Sequence, residues 1–274
     1  MFENQSICRS YKNLRNVNQD AFAKQRLSLP LMREVLDVYV VADGVGSDFQ
    51  SEFASSIVCN MFLAHMAAAI GDEIAQNPQV IVDKEWLTES DEEECRLIQM
   101  IRKCFKQTNL YLQRQCYETG MKRTTLSVCV IIGDWLFCAN VGDSPVYLLK
   151  NSKLELISSI HNLAGKREEE NPDYYKELDE QKKRQDSRRL LKCLGHFDRF
   201  DEPDISKHPW GEGMILAIGS DGGFGELSKE DIEYILSERK SLEERTETLI
   251  SESALHTTDN QTVIVVCAKE REEI

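Results

Sequence analysis

Acidic residues recur at the ends of apolar segments, a placement that could support chemistry. Asp43 ends the run VYVVA, Asp143 follows ANVG, and Asp221 follows LAIGS. Asp259 stands just before an apolar run, and Asp20 lies in a polar segment near the start of the chain. Carboxylates gathered at the mouths of buried strands would repel one another and lose hydration unless a cation neutralised them. Such an all-oxygen group suits a hard divalent ion, Mg²⁺ or Mn²⁺.

Each aspartate also has a simpler interpretation, as a turn residue. Asp-Gly and Asp-Asn pairs are common at strand ends because the aspartate side chain hydrogen-bonds the local backbone. Taken singly, these aspartates therefore indicate turns. The hypothesis of a metal site depends on all of them meeting in one place.

The apolar runs predict the strands that would carry these residues. We expect strands over 35–42, 125–132, 135–141, 146–149, 154–158, 214–219 and 262–268, and helices over 51–70, 96–118 and 242–255. Ser228 and Asp231 resemble the start of a further helix. Because the strands form a meander instead of alternating with helices, the sequence favours an α+β fold with antiparallel sheets over a doubly wound parallel sheet.

Two charged segments interrupt this pattern. Residues 72–95 are acidic and are expected to form an irregular surface excursion. Residues 165–189 are almost wholly polar and charged, which fits either an exposed helix or a mobile flap, since charge runs are usually solvated. Neither a repeat nor a linker rich in Gly, Ser or Pro divides the chain, so 1–274 is expected to be one domain.

Composition narrows the classes of function. The 33 basic and 47 acidic residues give a net charge of −14, which argues against a nucleic-acid binder and against a polybasic membrane anchor. The nine cysteines contain no CxxC pair, so we expect reduced core thiols in a cytoplasmic protein. The start of the chain is polar, and the most apolar helical stretch, 57–70, is expected to be too short to span a bilayer. No long apolar stripe suggests an obligate oligomer, so a monomer is expected.

Six segments together resemble a known family. In order they are RNVNQDA (15–21), VVADGVGS (40–47), TTLSV (124–128), ANVGDSPVYLL (139–149), LAIGSDG (216–222) and DNQTVIVV (259–266). Their order and spacing are similar to those of the metal-dependent Ser/Thr protein phosphatases of type 2C. The form DGVGS, without a following His, is closest to the bacterial branch. The resemblance implies a four-layer sandwich of two antiparallel β-sheets flanked by α-helices.

The resemblance also implies a metal centre. Asp43 would bridge two Mn²⁺ or Mg²⁺ ions, and the backbone carbonyl of Gly44 would ligate one of them. Asp221 and Asp259 would complete the shell of the first ion, and Asp20 would hold a metal-bound water.

A third, weaker ion would lie between Asp143 and Asp221. In this family an acid usually stands where this chain has Gly225, so the third ion is doubtful. Ser47 replaces a glycine, which narrows the backbone freedom of that turn. Pro145 replaces a common arginine, with effects expected on the start of the strand and on local salt bridges more than on the metal pair.

The resemblance assigns the phosphate to Arg15, five residues before Asp20, because a guanidinium presents a planar fork of donors. Water bridging the two ions would attack phosphorus, with no Cys nucleophile and no phosphoenzyme. The expected substrates are phosphoserine and phosphothreonine proteins, which makes a Ser/Thr kinase a further expected partner in signalling. The alternative is a catalytically weak or inactive phosphatase-like binding module, suggested by Gly225 and by segment 165–189.

Two further features stay open at this point. IHN (160–162) resembles a family segment, but His161 also fits a solvated loop histidine. Segment 165–189 falls where the family carries a variable flap, and we expect it to be exposed, mobile and able to shape which substrates reach Arg15.

Overall fold

The computed structural model describes residues 2–46, 50–88, 94–120, 122–200, 202–225 and 227–270. Its strands form two five-stranded antiparallel sheets. The first sheet has the order β1-β10-β9-β6-β7 and the second the order β2-β3-β4-β5-β8. The strands are β1 (Phe2–Tyr11), β2 (Asp20–Leu29), β3 (Glu34–Asp43), β4 (Leu126–Ile132), β5 (Trp135–Val141), β6 (Val146–Lys150), β7 (Lys153–Leu156), β8 (Asp204–Pro209), β9 (Ile215–Gly219) and β10 (Gln261–Glu270).

The described part of the chain forms nine helices, of which four cover the outer faces of the two sheets. The nine are α1 (Ser51–Gln76), α2 (Pro78–Val82), α3 (Arg96–Thr119), α4 (Leu163–Glu170), α5 (Pro172–Glu177), α6 (Glu180–Ser187), α7 (Asp221–Phe224), α8 (Lys229–Ser237) and α9 (Leu242–Ala254), with a 3₁₀ turn at Glu85–Leu87. α1 and α3 pack on the second sheet, where the rings of Phe62 and Phe105 meet edge-on with centroids 5.2 Å apart. α8 and α9 pack on the first sheet.

The layers are therefore helix, sheet, sheet, helix, and the predicted fold class is confirmed. The two sheets bury a shared core that includes Val41, Ile131, Leu216 and Ile264. Burial of this apolar surface is the main force that holds the sheets face to face. The rigid sandwich fixes the strand ends from which the acidic residues project.

The structure contains three strands that the sequence analysis did not predict. β2 has alternating half-buried and exposed residues along DAFAKQRLSL, so it lacks a continuous apolar run. β1 and β8 are polar strands at the edges of their sheets. The strands predicted over 135–141 and 146–149 and the helix start at Ser228, which forms a capping box with Asp231, are confirmed.

The prediction that residues 72–95 are irregular is wrong for most of its described part. α1 continues to Gln76, α2 and the 3₁₀ turn follow, and the side chains of Ile81 and Trp86 are fully buried. These two side chains join the core under α1 and α3, so the segment packs as part of the helical layer. Residues 89–93 lie outside the described residues.

Helix α1 is longer than predicted. It has 26 residues, and its most apolar window has a mean hydropathy of 1.6, so by length and composition alone it could cross a membrane. The expectation that this stretch is too short to span a bilayer is therefore wrong. In the fold, one face of α1, with Val58, Phe62 and Met66, is buried against the second sheet and α3, as expected of a core helix.

The cysteines lie mainly in the interior, as predicted. All nine belong to the described ranges, and there the structure forms no disulfide among them. Cys8 is half-buried and the other eight are buried. Burial raises the pKa of the Cys59 and Cys104 thiols, which keeps them protonated.

Candidate metal and phosphate site

The predicted acidic residues meet at one end of the sandwich. Asp20 begins β2 and Asp43 ends β3, and these two residues face each other across the ladder. Gly44 follows in an isolated bridge to Thr124, and its N–H donates to the Gln19 carbonyl at 3.1 Å. Strand pairing therefore brings together two acids that are 23 positions apart in the sequence.

Threonines from the start of β4 fix the end of β3. The Asp43 N–H donates to Thr125 Oγ1 at 2.9 Å, and Thr124 Oγ1 donates to the Asp43 carbonyl at 2.8 Å. Thr125 Oγ1 also shares a hydrogen bond with Ser144 Oγ at 2.7 Å. With its backbone held from both sides, Asp43 projects its carboxylate in a fixed direction.

β9 contributes Asp221 through a short helical turn. Ser220 caps α7, and its Oγ donates to Asp20 Oδ2 at 2.7 Å while it accepts from the Thr262 N–H at 3.1 Å. Asp221 is the first residue of α7, at the solvent-facing mouth of the site. One serine thus joins β9, β2 and β10 beside the carboxylates.

The acids interact strongly. Burial, followed by the charges of Asp20 and Asp221, holds the pKa of Asp43 well above its usual range. Burial raises the pKa of Asp20 to about 7, against the lowering effect of the Ser220 and Thr262 hydrogen bonds. Loss of hydration raises the pKa of Asp221, and the charge of Asp259 raises it further. Removing charge from this cluster, or adding a cation to it, would relieve its repulsion.

Arg15 and Asp259 meet on one side of this cluster. Arg15 Nη2 donates to Asp259 Oδ2 at 2.7 Å, and both side chains are partly exposed. Asp259 Oδ1 accepts from the Asn260 N–H at 2.8 Å. Both oxygens of this carboxylate are therefore engaged, one by Arg15 and one by the backbone.

Residues 12–19, which we call the Arg15 loop, are hydrogen-bonded to the side chain of Asn260, just before the start of β10. Its Nδ2 donates to the carbonyls of Lys12 at 2.9 Å and Val17 at 3.0 Å, and its Oδ1 accepts from the Gln19 N–H at 2.9 Å. Asn260 is 3% exposed. A Cβ on Gly222 would lie 2.1 Å from the Asn260 carbonyl oxygen, so glycine lets α7 and β10 approach closely here.

Asp143 lies on another side of the cluster. Its Oδ2 accepts from Asn162 Nδ2 at 3.0 Å, and burial followed by the charge of Asp221 raises its pKa to about 7. The adjacent Gly142 donates its N–H to His161 Nδ1 at 3.0 Å, and His161 Nε2 pairs with Asp204 Oδ2 at 2.8 Å. His161 is 8% exposed, so the interpretation as a solvated loop histidine is wrong. It supports the backbone beside Asp143.

Gly225 stands where the family usually has an acid, and the structure gives a local reason. Its backbone has φ 58° and ψ −142°, a conformation that favours glycine, and a Cβ there would lie 2.9 Å from the Ser253 carbonyl oxygen. An acid therefore cannot be introduced here without moving the backbone. Ser47 lies outside the described residues, and Pro145 accepts a hydrogen bond from the Gly219 N–H at 3.2 Å.

The carboxylate and carbonyl oxygens at this site are ligands of the kind that Mg²⁺ and Mn²⁺ bind. Among the residues that the structure describes, no group of three or more His, Cys, Asp or Glu side chains is placed to hold a metal ion as it stands. The charge of Asp221 raises the pKa of Asp43, so the two carboxylates repel each other, and a bound cation would relieve that repulsion. Each oxygen of Asp259 accepts one hydrogen bond, from Arg15 or from the Asn260 N–H, and keeps a lone pair that could bind a cation.

The sequence analysis missed the polar residues that hold the acids in place. They are Ser220, Asn260 and Asn162. Asn260 stands in the quoted segment DNQTVIVV, and Ser220 stands in LAIGSDG. Their position next to each predicted acid was a usable signal, because strand-end acids need neighbouring donors when they are buried.

Comparisons with known proteins agree with this architecture. The family model of protein phosphatase 2C matches residues 11–257. The serine/threonine phosphatase stp of Listeria welshimeri is 26% identical over 236 residues, covering 84% of this chain and 83% of that protein.

Two solved structures share the fold. The S. agalactiae serine/threonine phosphatase has a TM-score of 0.73 and 20% identity, covering 98% of this chain and 100% of its own. The catalytic domain of the phosphatase PstP, solved with two manganese ions, has a TM-score of 0.72 and 19% identity, with 98% of this chain and 100% of that chain covered. By the extent of the family match, this chain belongs to the protein phosphatase 2C family.

Proposed function

We propose that this protein is a metal-dependent phosphatase that hydrolyses phosphoserine and phosphothreonine in proteins. The observation that carries the proposal is the meeting of four aspartates with an arginine at one end of the sandwich. Asp20, Asp43 and Asp221 interact directly, and Arg15 reaches Asp259 beside them. The relatives named serine/threonine phosphatase support the same substrate class.

Each residue has a role that its surroundings support. Asp43, Asp221 and Asp259, with the Gly44 carbonyl, would hold two Mn²⁺ or Mg²⁺ ions, and Asp20 would orient water through its fixed carboxylate. Bound divalent ions supply charge neutralisation and a more acidic water molecule. Arg15 is half-exposed and would bind the phosphoryl oxygens with its donor fork. A third ion at Asp143 and Asp221 is not part of the proposal, given the backbone of Gly225.

The helices α4–α6 are proposed to shape access to the site. Most of their side chains are exposed, whereas Asp186 is fully buried and pairs with Arg167, which ties α6 to α4. The backbone joins this segment to the Asp143 side, since Asn162 and Leu190 form a bridge. Deleting 166–187 should change the relative kcat/KM among phosphopeptides; an unchanged profile would contradict this role.

The setting proposed for the enzyme follows from its composition. A net charge of −14 is consistent with protein substrates and not with nucleic acid. The buried thiols are consistent with a reducing, cytoplasmic location, and we propose a monomer that opposes a Ser/Thr kinase. Sedimentation and fractionation would test these two points.

The decisive experiment is hydrolysis of a phosphothreonine peptide and of p-nitrophenyl phosphate with Mn²⁺, Mg²⁺ or EDTA. Metal-dependent release of phosphate is the expected result, and a phosphotyrosine version of the same peptide is the matched control for substrate class. No turnover with either ion, from protein that is folded by circular dichroism, would contradict the proposal and favour a binding module.

A further inference from the structure

The side chain of Asn260 connects two parts of the site that are far apart in sequence. It lies at the start of β10, next to Asp259, and it reaches across to the Arg15 loop. Its three side-chain hydrogen bonds all go to backbone atoms of that loop, at Lys12, Val17 and Gln19. Both the amide nitrogen and the carbonyl oxygen of the side chain are therefore bound to the loop.

The Arg15 loop contains a turn whose backbone carbonyls face Asn260. The Arg15 N–H donates to the Lys12 carbonyl at 3.1 Å, which closes a turn, and the two carbonyls bound by Asn260 stand on either side of Arg15. Leu14 is 77% exposed and Val17 is 49% exposed, so little apolar packing holds this loop. Its conformation therefore depends on polar contacts, of which those from Asn260 are buried.

The loop has other polar contacts. Asn13 Nδ2 donates to the Thr257 carbonyl at 2.9 Å, and Asn18 Nδ2 donates to Ser10 Oγ at 2.9 Å. The ion pair of Arg15 with Asp259 is itself partly exposed, and such pairs are weak in water. At the end of the loop, Ser55 Oγ donates to the Gln19 carbonyl at 2.6 Å. Asn260 differs from these contacts because it binds the backbone on both sides of Arg15 from a buried position.

We infer that Asn260 is a positioning residue for phosphate recognition, acting through the Arg15 loop and not as a metal ligand. This inference rests on the proposed function. A side chain that holds the loop on the β10 end keeps the Arg15 guanidinium within reach of a phosphoryl group near Asp43 and Asp221. Without it, Arg15 would still be present but would lose its fixed position, and binding would have to supply the ordering.

The test is a double-mutant cycle between Asn260→Ala and Arg15→Ala, assayed with p-nitrophenyl phosphate and with inorganic phosphate as competitive inhibitor. Asn260→Ala should raise KM and the inhibition constant of phosphate by about tenfold, in proportion to the buried hydrogen bonds lost. In the Arg15→Ala background the same change should have almost no further effect, because Asn260 acts through Arg15. Additive losses would overturn the inference.

A second readout does not depend on activity. Hydrogen exchange of segment 12–19 should become faster in Asn260→Ala, while Mn²⁺ affinity, measured by electron paramagnetic resonance, should stay close to that of the unchanged protein. A loss of Mn²⁺ affinity as large as the loss of phosphate affinity would show that Asn260 supports the metal ligands instead.

Matched variants separate positioning from stability. Asn109 is also 3% exposed and its Oδ1 accepts from the Gly195 N–H at 2.8 Å, so Asn109→Ala removes a similar buried bond elsewhere. It should lower Tm without raising the inhibition constant of phosphate, and an equal rise in both variants would contradict the inference. Asn260→Asp places a carboxylate against two carbonyl oxygens and should be at least as impaired as Asn260→Ala. Asn260→Ser, which supplies one hydroxyl in place of the amide, serves for the cycle if the alanine variant does not fold.

Failure of this inference differs from failure of the proposed function. If the unchanged protein shows no metal-dependent hydrolysis, the proposed function fails. If it hydrolyses p-nitrophenyl phosphate and Asn260→Ala keeps the same KM and phosphate inhibition, only the role of Asn260 is wrong.

Discussion

The acidic cluster is supported differently on its two sides. On the Asp259 side, a guanidinium from the Arg15 loop meets a carboxylate, and both groups are open to solvent. On the Asp143 side, the carboxylate accepts from the neutral amide of Asn162, and His161 supports the adjacent backbone from a buried position. The first arrangement can exchange partners when an anion or a cation arrives. In the second arrangement the supporting groups are held in place, as is typical of residues with a structural role.

Asp43 lies between the two sides, so its loss should affect both of them and have the largest effect on activity. We expect Asp43→Asn to reduce metal-dependent hydrolysis by about 10³-fold or more, because a residue that bridges cations contributes several kcal/mol to charge stabilisation. Phosphate release with saturating Mn²⁺ measures the effect.

The same variant makes a prediction about stability. Because the pKa of Asp43 is raised by burial and by neighbouring charges, a neutral amide at this position should fold at least as well in EDTA. A strongly lowered Tm would mean that the carboxylate has a structural role instead.

Arg15→Ala removes the cation from the Asp259 side. We expect kcat/KM to fall about 10- to 100-fold, the usual value of hydrogen bonds to a charged group, mainly through KM. Mn²⁺ affinity should be kept or rise by no more than about fivefold, since an exposed ion pair no longer competes for Asp259. Titration with Mn²⁺ and steady-state kinetics check both parts, and weaker Mn²⁺ binding would show that Arg15 orients Asp259 for the metal.

Gly225→Asp restores the acid that the family usually has at this position, after helix α7. The left-handed backbone and the nearby Ser253 carbonyl should make this change destabilising by about 1–3 kcal/mol, without creating a new metal site. Urea unfolding measures the loss, and Gly225→Ala is the control for the backbone effect alone. An Asp variant as stable as the unchanged protein, with one more bound Mn²⁺, would contradict the conclusion that the backbone at Gly225 excludes an acid.

The smallest effect is expected for Asp143→Asn. An amide at this position can still accept from Asn162, and the change should alter kcat/KM by less than about fivefold, a size typical of a weakly coupled charge. Phosphopeptide kinetics at low and saturating Mn²⁺ test this prediction. A loss comparable to that of Asp43→Asn would show that both sides of the cluster take part in the chemistry.

Parts of this site could be predicted from the sequence because they end continuous apolar runs. Asp43 and Asp221 follow buried strands, and those strands were recognised from composition alone. β2 was missed because its alternating surface is half exposed, so Asp20 lacked a visible element to position it. The Asn260 contacts join residues more than 240 positions apart, and no local pattern encodes such a distance.

The order of strands in the first sheet also bears on how the enzyme is made. β10 lies between β1 and β9, so the pairing of Phe2 with Glu270 closes nearly the whole chain. Contacts so distant in sequence are slow to form, because the entropy of loop closure opposes them until other contacts are in place. During synthesis, a nascent chain that lacks 259–270 already contains Asp20, Asp43, Asp143 and Asp221 but not the partner of Arg15. The aspartate that pairs with Arg15 and the strand that joins β1 to β9 are therefore the last parts of this site to be made.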